Sequence, residues 1–258
     1  MIPILVIIFS YFLVFFIVAT IIKNNSIVDI GWGFGFVLTV WILFVINKEF
    51  TTSKIIVNLI VSLWGLRLFY HILKRNLFEE EDFRYAAWRK AWGKFVIPRA
   101  FLQVFMLQGL FMFIVGIGAF LFNTGKYELN LVSYVGIGVF LIGYLFEVIG
   151  DYQLKTHLAD PSKKGVLLTT GLWKYTRHPN YFGEAVIWWG IFIIVVSAGV
   201  PWYVVISPIA ITYLLRFVSG VPMLEAKMKK AIGWDEYAKV TNAFLPWFPK
   251  KVGSNEKN

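Results

Sequence analysis

The chain of 258 residues contains no cysteine, which excludes a disulfide framework, a thiolate nucleophile and any cysteine-held metal. Its three histidines, His71, His157 and His178, stand at no recognisable ligand spacing, so no structural zinc site is expected. There is no Gly-x-Gly-x-x-Gly after a strand and no P-loop, so any bound nucleotide must be held by a non-Rossmann arrangement. A nucleophilic triad is also missing, as are internal repeats and low-complexity segments. The first apolar run lacks a basic leader and a small-residue cleavage site, and reads as a retained helix rather than a signal peptide. Acidic residues are scarce: 15 against 25 basic ones, for a net charge of +10. The basic residues gather in a few juxtamembrane stretches, the distribution of a topology signal and an anionic-lipid contact; nucleic acid is not implied.

What is abundant is apolar surface, 58% of residues hydrophobic and 19% aromatic. That composition predicts an all-α polytopic membrane bundle. Seven spans account for it, at roughly 2–22, 28–46, 55–73, 101–122, 131–154, 182–198 and 201–219. Between the third and fourth lies Lys74–Arg99, where Tyr85, Trp88, Trp92 and Phe95 recur at helical spacing. This stretch is expected to be an amphipathic helix in the membrane interface, with the acidic run at 79–82 as its solvated face. Lysines and arginines crowd 74–99, the loop before the sixth span and the tail, whereas Lys48, Lys54 and Lys126 serve the other side. An odd number of spans then puts the N-terminus outside and the C-terminus in the cytoplasm, in a bacterial inner membrane.

The densest polar cluster, Gly171-Leu-Trp-Lys-Tyr-Thr-Arg-His-Pro-Asn-Tyr-Phe-Gly-Glu184, immediately precedes the sixth span. It brings Arg177, His178, Asn180, Tyr181 and Glu184 into eight residues. Pro179 disfavours the α region at His178, so the chain arrives extended and a helix opens at 179 or 180. Two arginines, Arg67 and Arg216, fall within spans, where an unpaired guanidinium costs several kcal/mol, so each should face the bundle interior. Asp29 stands at the start of the second span. Glu147, Asp151 and Lys155 form an i, i+4, i+8 ladder near the end of the fifth. By depth count, all of these fall in the cytoplasmic half of the membrane. Structural ion pairs, such as Arg67 with Asp29, are one explanation. The other is a site loaded from the cytosol with a phosphate-bearing cofactor, cationic loops (Lys163, Lys164, Lys174, Arg177) taking phosphates while carboxylates and Asn180 take ribose hydroxyls or an amide.

The residues Gly171-Leu172-Trp173-x-Tyr175-x-Arg177-His178-Pro179-Asn180-Tyr181-x-Gly183-Glu184 resemble the C-terminal signature of the steroid 5α-reductase superfamily, most closely its bacterial branch of integral membrane proteins, the DUF1295 family. The similarity extends to Val28-Asp29-x-x-Trp32-Gly33, Leu63-Trp64-Gly65-x-Arg67-Leu68, Asp151-x-Gln153-x-Lys155 and Gly220-Val221-Pro222-x-Leu224-Glu225. The resemblance implies an NADPH-dependent reductase delivering hydride to the β-carbon of an α,β-unsaturated ketone in a lipophilic, steroid-like or isoprenoid substrate.

By position, it implies that Asn180 and Glu184 line the nicotinamide side and that Asp151 and Arg216 bind cofactor, while Glu147 replaces an asparagine of the relatives. Arg67, Lys155, Arg177, His178 and Tyr181 complete the expected cofactor set. Steroid reductases engage the substrate carbonyl with a glutamate and a tyrosine; here Asp29 is the candidate carboxylate, Trp64 occupies the tyrosine position, and Tyr70 is the candidate phenol. No metal is expected. One domain over 1–258 is implied, with a substrate-side half to about 125, a cofactor-binding half over about 126–250 and a flexible tail at 251–258. The Arg-His-Pro-x-Tyr-x-Gly core also resembles isoprenylcysteine carboxyl methyltransferases, which use S-adenosylmethionine, although the acidic pair of their last helix is missing around Glu225. A non-catalytic lipid-binding protein is the third alternative. Expected partners are membrane lipids and a small molecule from the bilayer, with the oligomeric state open.

Overall fold

The computed structural model describes residues 1–76 and 79–250; the expected tail at 251–258 lies outside them. Regular structure among the described residues is helical, with an isolated bridge between Val166 and Ile232. Seven helical runs are long and apolar enough to cross a bilayer, so the chain is an all-α, multi-pass integral membrane protein. In hydrocarbon a backbone N–H has no water to bond, and a helix pairs its groups within its own segment. The first helix, α1 (Ile2–Ile22), is about 31 Å long at 1.5 Å per residue, matching the hydrocarbon thickness. It ends at Lys23, whose left-handed backbone (φ 56°) returns its N–H to the Ala19 carbonyl. Next come α2 (Ile27–Asn47) and α3 (Thr52–Asn76).

The fourth run departs from expectation. The interfacial helix and the fourth span follow one another with little non-helical chain but with a backbone break at Gly93 (φ 50°): α4 (Phe83–Trp92), a 3₁₀ turn, α5 (Val96–Ala100), a π segment (Phe101–Met106) and α6 (Leu107–Thr124). Pro98 falls inside the first turn of α5, where its missing N–H breaks no ladder bond. Then follow α7 (Leu131–Ala159) and α8 (Pro179–Ser197). The last run, Trp202–Met228, contains α9 (Ile206–Tyr213), a second π segment (Leu214–Val218) and α10 (Val221–Met228). It outlasts the expected end at 219 because Pro222, in the first turn of α10, restarts the helix. A short α11 (Trp234–Val240) closes the ordered elements.

The chain divides into two compact units, one of Met1–Asn130 with Val195–Ser207, the other of Leu131–Ile194 with the chain from Pro208 onward. In the first, α2 and α3 touch at Gly33 and Gly65, where a Cβ on either glycine would come within 2.4 or 2.6 Å of the other's carbonyl oxygen. Small residues allow this approach, and dispersion across it replaces the hydrophobic drive that lipid does not supply. Phe36 packs on Trp64 (5.3 Å between ring centroids) and Phe120 (6.2 Å), while the Asn123 amide donates to Asn58 Oδ1 at 2.8 Å.

In the second unit Gly136, Gly143 and Gly150 recur every seventh residue on α7 and meet α8. A Cβ on Gly143 would lie 2.6 Å from Ile187 N and 2.7 Å from the Gly183 carbonyl; one on Gly183 would lie 2.5 Å from Glu147 N. Backbone against backbone, this seam fixes α7 against α8 and sets the register of the polar residues at one end.

Candidate functional site

The seam ends where the motif begins. Gly150 lies under the first turn of α8, with room for a Cβ only 3.1 Å from Asn180 N. One turn beyond Glu147 and next to Gly150, Asp151 accepts from Asn180 Nδ2 at 2.9 Å, while Asn180 Oδ1 accepts from the Tyr181 N–H. Glu147 (3% exposed) and Glu184 (9%) are buried on the same two helices. Lys155, a further turn along α7, is exposed, so the ladder runs from buried acid to solvent cation.

The loop entering α8 is held from both sides. Gln153 Oε1 accepts from Leu172 N at 3.0 Å, and Gly171 turns with φ +63°, where a Cβ would come within 2.4 Å of the Gln153 amide. Trp173 donates from Nε1 to the Gly150 carbonyl at 3.2 Å, and its own carbonyl accepts from Tyr237 Oη at 2.6 Å. Burial pushes the Tyr237 phenol up, so it remains a donor. Arg177 N donates to the Asn242 carbonyl at 2.9 Å and Trp247 N to that of Tyr175 at 2.9 Å, pinning the C-terminal segment along the loop.

Arg177 points its guanidinium inward. Nε and Nη2 both reach Glu225 Oε1 at 2.8 Å, Nη1 donates to the Ala238 and Thr241 carbonyls at 3.0 and 2.5 Å, and the group lies over the Trp234 ring at 5.4 Å. It therefore ties the α8 entrance to α10 and α11. His178 is fully buried, stacks on Tyr181 (5.6 Å, 9°) and meets the same Glu225 oxygen at 3.3 Å. Burial lowers the imidazole to about 4 against the opposing pull of Glu225, with Arg177 and Arg216 lowering it further. The ring is thus neutral near pH 7, with Nε2–H the donor to Glu225 and Nδ1 left as an acceptor with no partner among the described residues. Arg216, half-buried, lies on the π segment of the last run; such segments change side-chain direction locally and recur at functional sites.

The other expected residues lie in the first unit. Both oxygens of Asp29 are engaged: Oδ1 accepts from Tyr85 Oη at 2.8 Å and Oδ2 from Arg84 Nη2 at 3.1 Å. The phenol that reaches Asp29 is thus Tyr85, which is 4% exposed, whereas the expected Tyr70 is 63% exposed. Trp64 is fully buried in the aromatic core, and Arg67 is half-buried on α3. The acidic run is not a wholly solvated face either. Glu81 accepts from Asn25 N at 2.7 Å and receives both Nε and Nη2 of Arg89 at 2.8 Å, and Asp82 caps α4 through Arg84 N. An unsatisfied N–H at the α1–α2 turn makes an inward carboxylate favourable there. Glu225 and Tyr85 were the residues least apparent in the sequence: one lay in the tail, the other looked like part of an apolar stripe.

The family described as a protein of unknown function, DUF1295, matches residues 15–243. The chain belongs to this family. Among curated proteins, this DUF1295 protein is similar to an uncharacterized protein of Schizosaccharomyces pombe, 22% identical over 150 residues, with 49% of this chain and 44% of the relative covered. The chain therefore spans less than half the length of that relative. No solved structure matches it.

Proposed function

We propose that this DUF1295 protein is an NADPH-dependent membrane reductase that transfers hydride to the β-carbon of an α,β-unsaturated ketone in a lipophilic steroid-like or isoprenoid substrate. The observation that carries the reading is the Asp151–Asn180 pair at 2.9 Å, with buried Glu147 and Glu184 on the same two helices. The donor set fits a dinucleotide. Carboxylates accept from ribose hydroxyls, the Asn180 amide both donates to and accepts from a carboxamide, and Arg216, Lys155, Lys164 and Lys174 are cations for phosphates. NADPH supplies the hydride when bound. Arg177, by contrast, acts as the brace that keeps the α8 entrance in place.

Reduction of an enone also needs a proton donor at the carbonyl as charge develops on its oxygen. In the first unit the Asp29 and Tyr85 pair has the chemistry to hold that proton, with Arg84 balancing the carboxylate. The support for this assignment is the 2.8 Å hydrogen bond and the burial of the phenol. On the same reading the basic segments face the cytosol of a bacterial inner membrane, with the N-terminus outside.

The test titrates purified protein with NADPH and, separately, with S-adenosylmethionine, following tryptophan fluorescence. Asn180→Ala and Glu184→Gln are expected to weaken NADPH binding about tenfold, equivalent to roughly 1.4 kcal/mol, with little change in cofactor-free melting. Unchanged affinity in both variants would remove them from the site. Preferential binding of S-adenosylmethionine would replace the reductase with a methyltransferase, and binding of neither would favour a lipid-binding protein.

A further inference from the structure

We infer that the outward face of α4 and α5 is a binding surface for anionic phospholipid headgroups, and that their binding holds α4 against Asp29. The argument rests on how charge is sorted across one short helix. On its inner side, Arg84 and Arg89 are used by Asp29, Asp82 and Glu81. On its outer side Lys90, Lys94 and Arg99 are exposed and meet no carboxylate among the described residues. The carboxylates that reach α4 are thus turned inward; Glu79 and Glu80, ahead of the helix, are exposed, and the charge left unpaired on α4, α5 and the turn between them is basic.

Aromatic rings accompany these cations: Phe83 (58% exposed) and Phe95 (54%) are exposed near them in the chain, with Lys94 lying over the Phe95 ring at 5.3 Å, whereas Trp88, roughly 160° around α4 from Lys90, meets Tyr85 edge-on at 5.4 Å. Amphipathic rings interleaved with lysines suit the boundary between headgroups and acyl chains. Arg99 stands directly before the π segment that leads into spanning α6, which sets the cations at headgroup level. Lys74 and Arg75, at the end of α3, are exposed nearby in the chain on the same side. The opposite end of this unit contrasts with it: Glu49 pairs with both Lys54 and Lys126, at 3.1 and 3.3 Å. One end is neutralised by its own carboxylates and the other presents a surplus of cations, which is complementary to an anionic leaflet. The occupant is a membrane lipid because α4 is joined by the short turn at Gly93 to α5, which runs directly into the spanning α6. This inference stands apart from the reductase reading, since it uses none of the cofactor residues.

The experiment reconstitutes the full chain in phosphatidylcholine vesicles containing dansyl-labelled phosphatidylglycerol or dansyl-labelled phosphatidylcholine, and reads energy transfer from tryptophan together with amide exchange over residues 83–92. Wild type is expected to enrich the anionic probe severalfold over the zwitterionic one and to slow exchange in α4. The triple variant Lys90→Gln, Lys94→Gln, Arg99→Gln should bring that enrichment down to the level of the zwitterionic probe, along with the slowed exchange. Since all three side chains are exposed, melting in detergent should match wild type, which separates lost binding from misfolding. Equal enrichment of both probes, or enrichment that survives the triple substitution, would overturn the headgroup site. Enrichment without slowed exchange would overturn the hold on α4. Exchange slowed by soluble polyglutamate, with no lipid enrichment, would instead give the face to an acidic protein partner.

Discussion

Replacing Arg177 by alanine tests whether the motif arginine braces the fold or binds a phosphate. The guanidinium is 11% exposed and its partner Glu225 16%, so the pair is largely out of water. The substitution removes two donors to Glu225 Oε1 and those to the Ala238 and Thr241 carbonyls, and leaves a buried carboxylate whose remaining partner is a neutral imidazole. Breaking a buried pair from one side costs about 3–5 kcal/mol, most of it the uncompensated charge left behind. For a chain of this size each kcal/mol corresponds to about 2–4 °C, so cofactor-free protein in detergent should melt lower by on the order of 10 °C. Tryptophan fluorescence reads the transition, since Trp173 and Trp234 are buried beside the affected contacts. Arg177→Lys should recover only part of the loss, because an ammonium cannot span the carboxylate and two carbonyls as the planar fork does. If Arg177→Ala melted within ~2 °C of wild type, less than about 1 kcal/mol by the same scaling, while NADPH affinity fell tenfold, the bracing role would be refuted and a phosphate ligand would take its place.

Three further outcomes are expected. His178, near pH 6.5 when unfolded and about 4 when folded, binds its proton more readily in the unfolded chain, so its contribution is complete above pH 6.5 and lost as pH falls toward 4. Melting followed across that window should drop by up to about 1.4 kcal/mol per pH unit from this residue, and His178→Asn, if it folds, should flatten that component; an unchanged slope would refute the burial argument. Gly143→Ala drives a Cβ onto backbone atoms of α8, and overpacking of about 1–3 kcal/mol should lower melting temperature and yield, whereas Gly138→Ala, with open space around it, should behave as wild type. Reporter fusions after residues 90 and 126 should report opposite sides of the membrane, residue 90 cytosolic; the same side for both would reject the orientation drawn from lysine and arginine asymmetry.

The membrane architecture was legible in the sequence because hydrocarbon leaves a span few choices: a run such as Ile2–Ile22 must be helical, and length and apolarity alone identify it. The cluster at 171–184 was also legible, since the proline after His178 and the polar density mark a loop turning into a helix. What composition could not convey is which partner each polar group chooses. Arg177 and Glu225 are forty-eight residues apart, Asp29 and Tyr85 fifty-six, and both pairings depend on helices brought together by packing. Local periodicity counted Tyr85 as one more apolar position on an interfacial stripe, and its phenol gained a different meaning only when α4 folded over the start of α2. Likewise Gly136, Gly143, Gly150, Gly183 and Gly190 read separately as small residues in apolar runs. Their meaning is collective: the α7–α8 seam they form lets backbones touch, and that approach puts Asn180 within hydrogen-bond distance of Asp151. The sequence alone thus determined that the chain spans the membrane and where its polar residues are concentrated, because solvent transfer and backbone hydrogen bonding act locally. Tertiary structure decided which of those groups are buried against a partner and which stay exposed, because burial and pairing energies exist only between segments in contact.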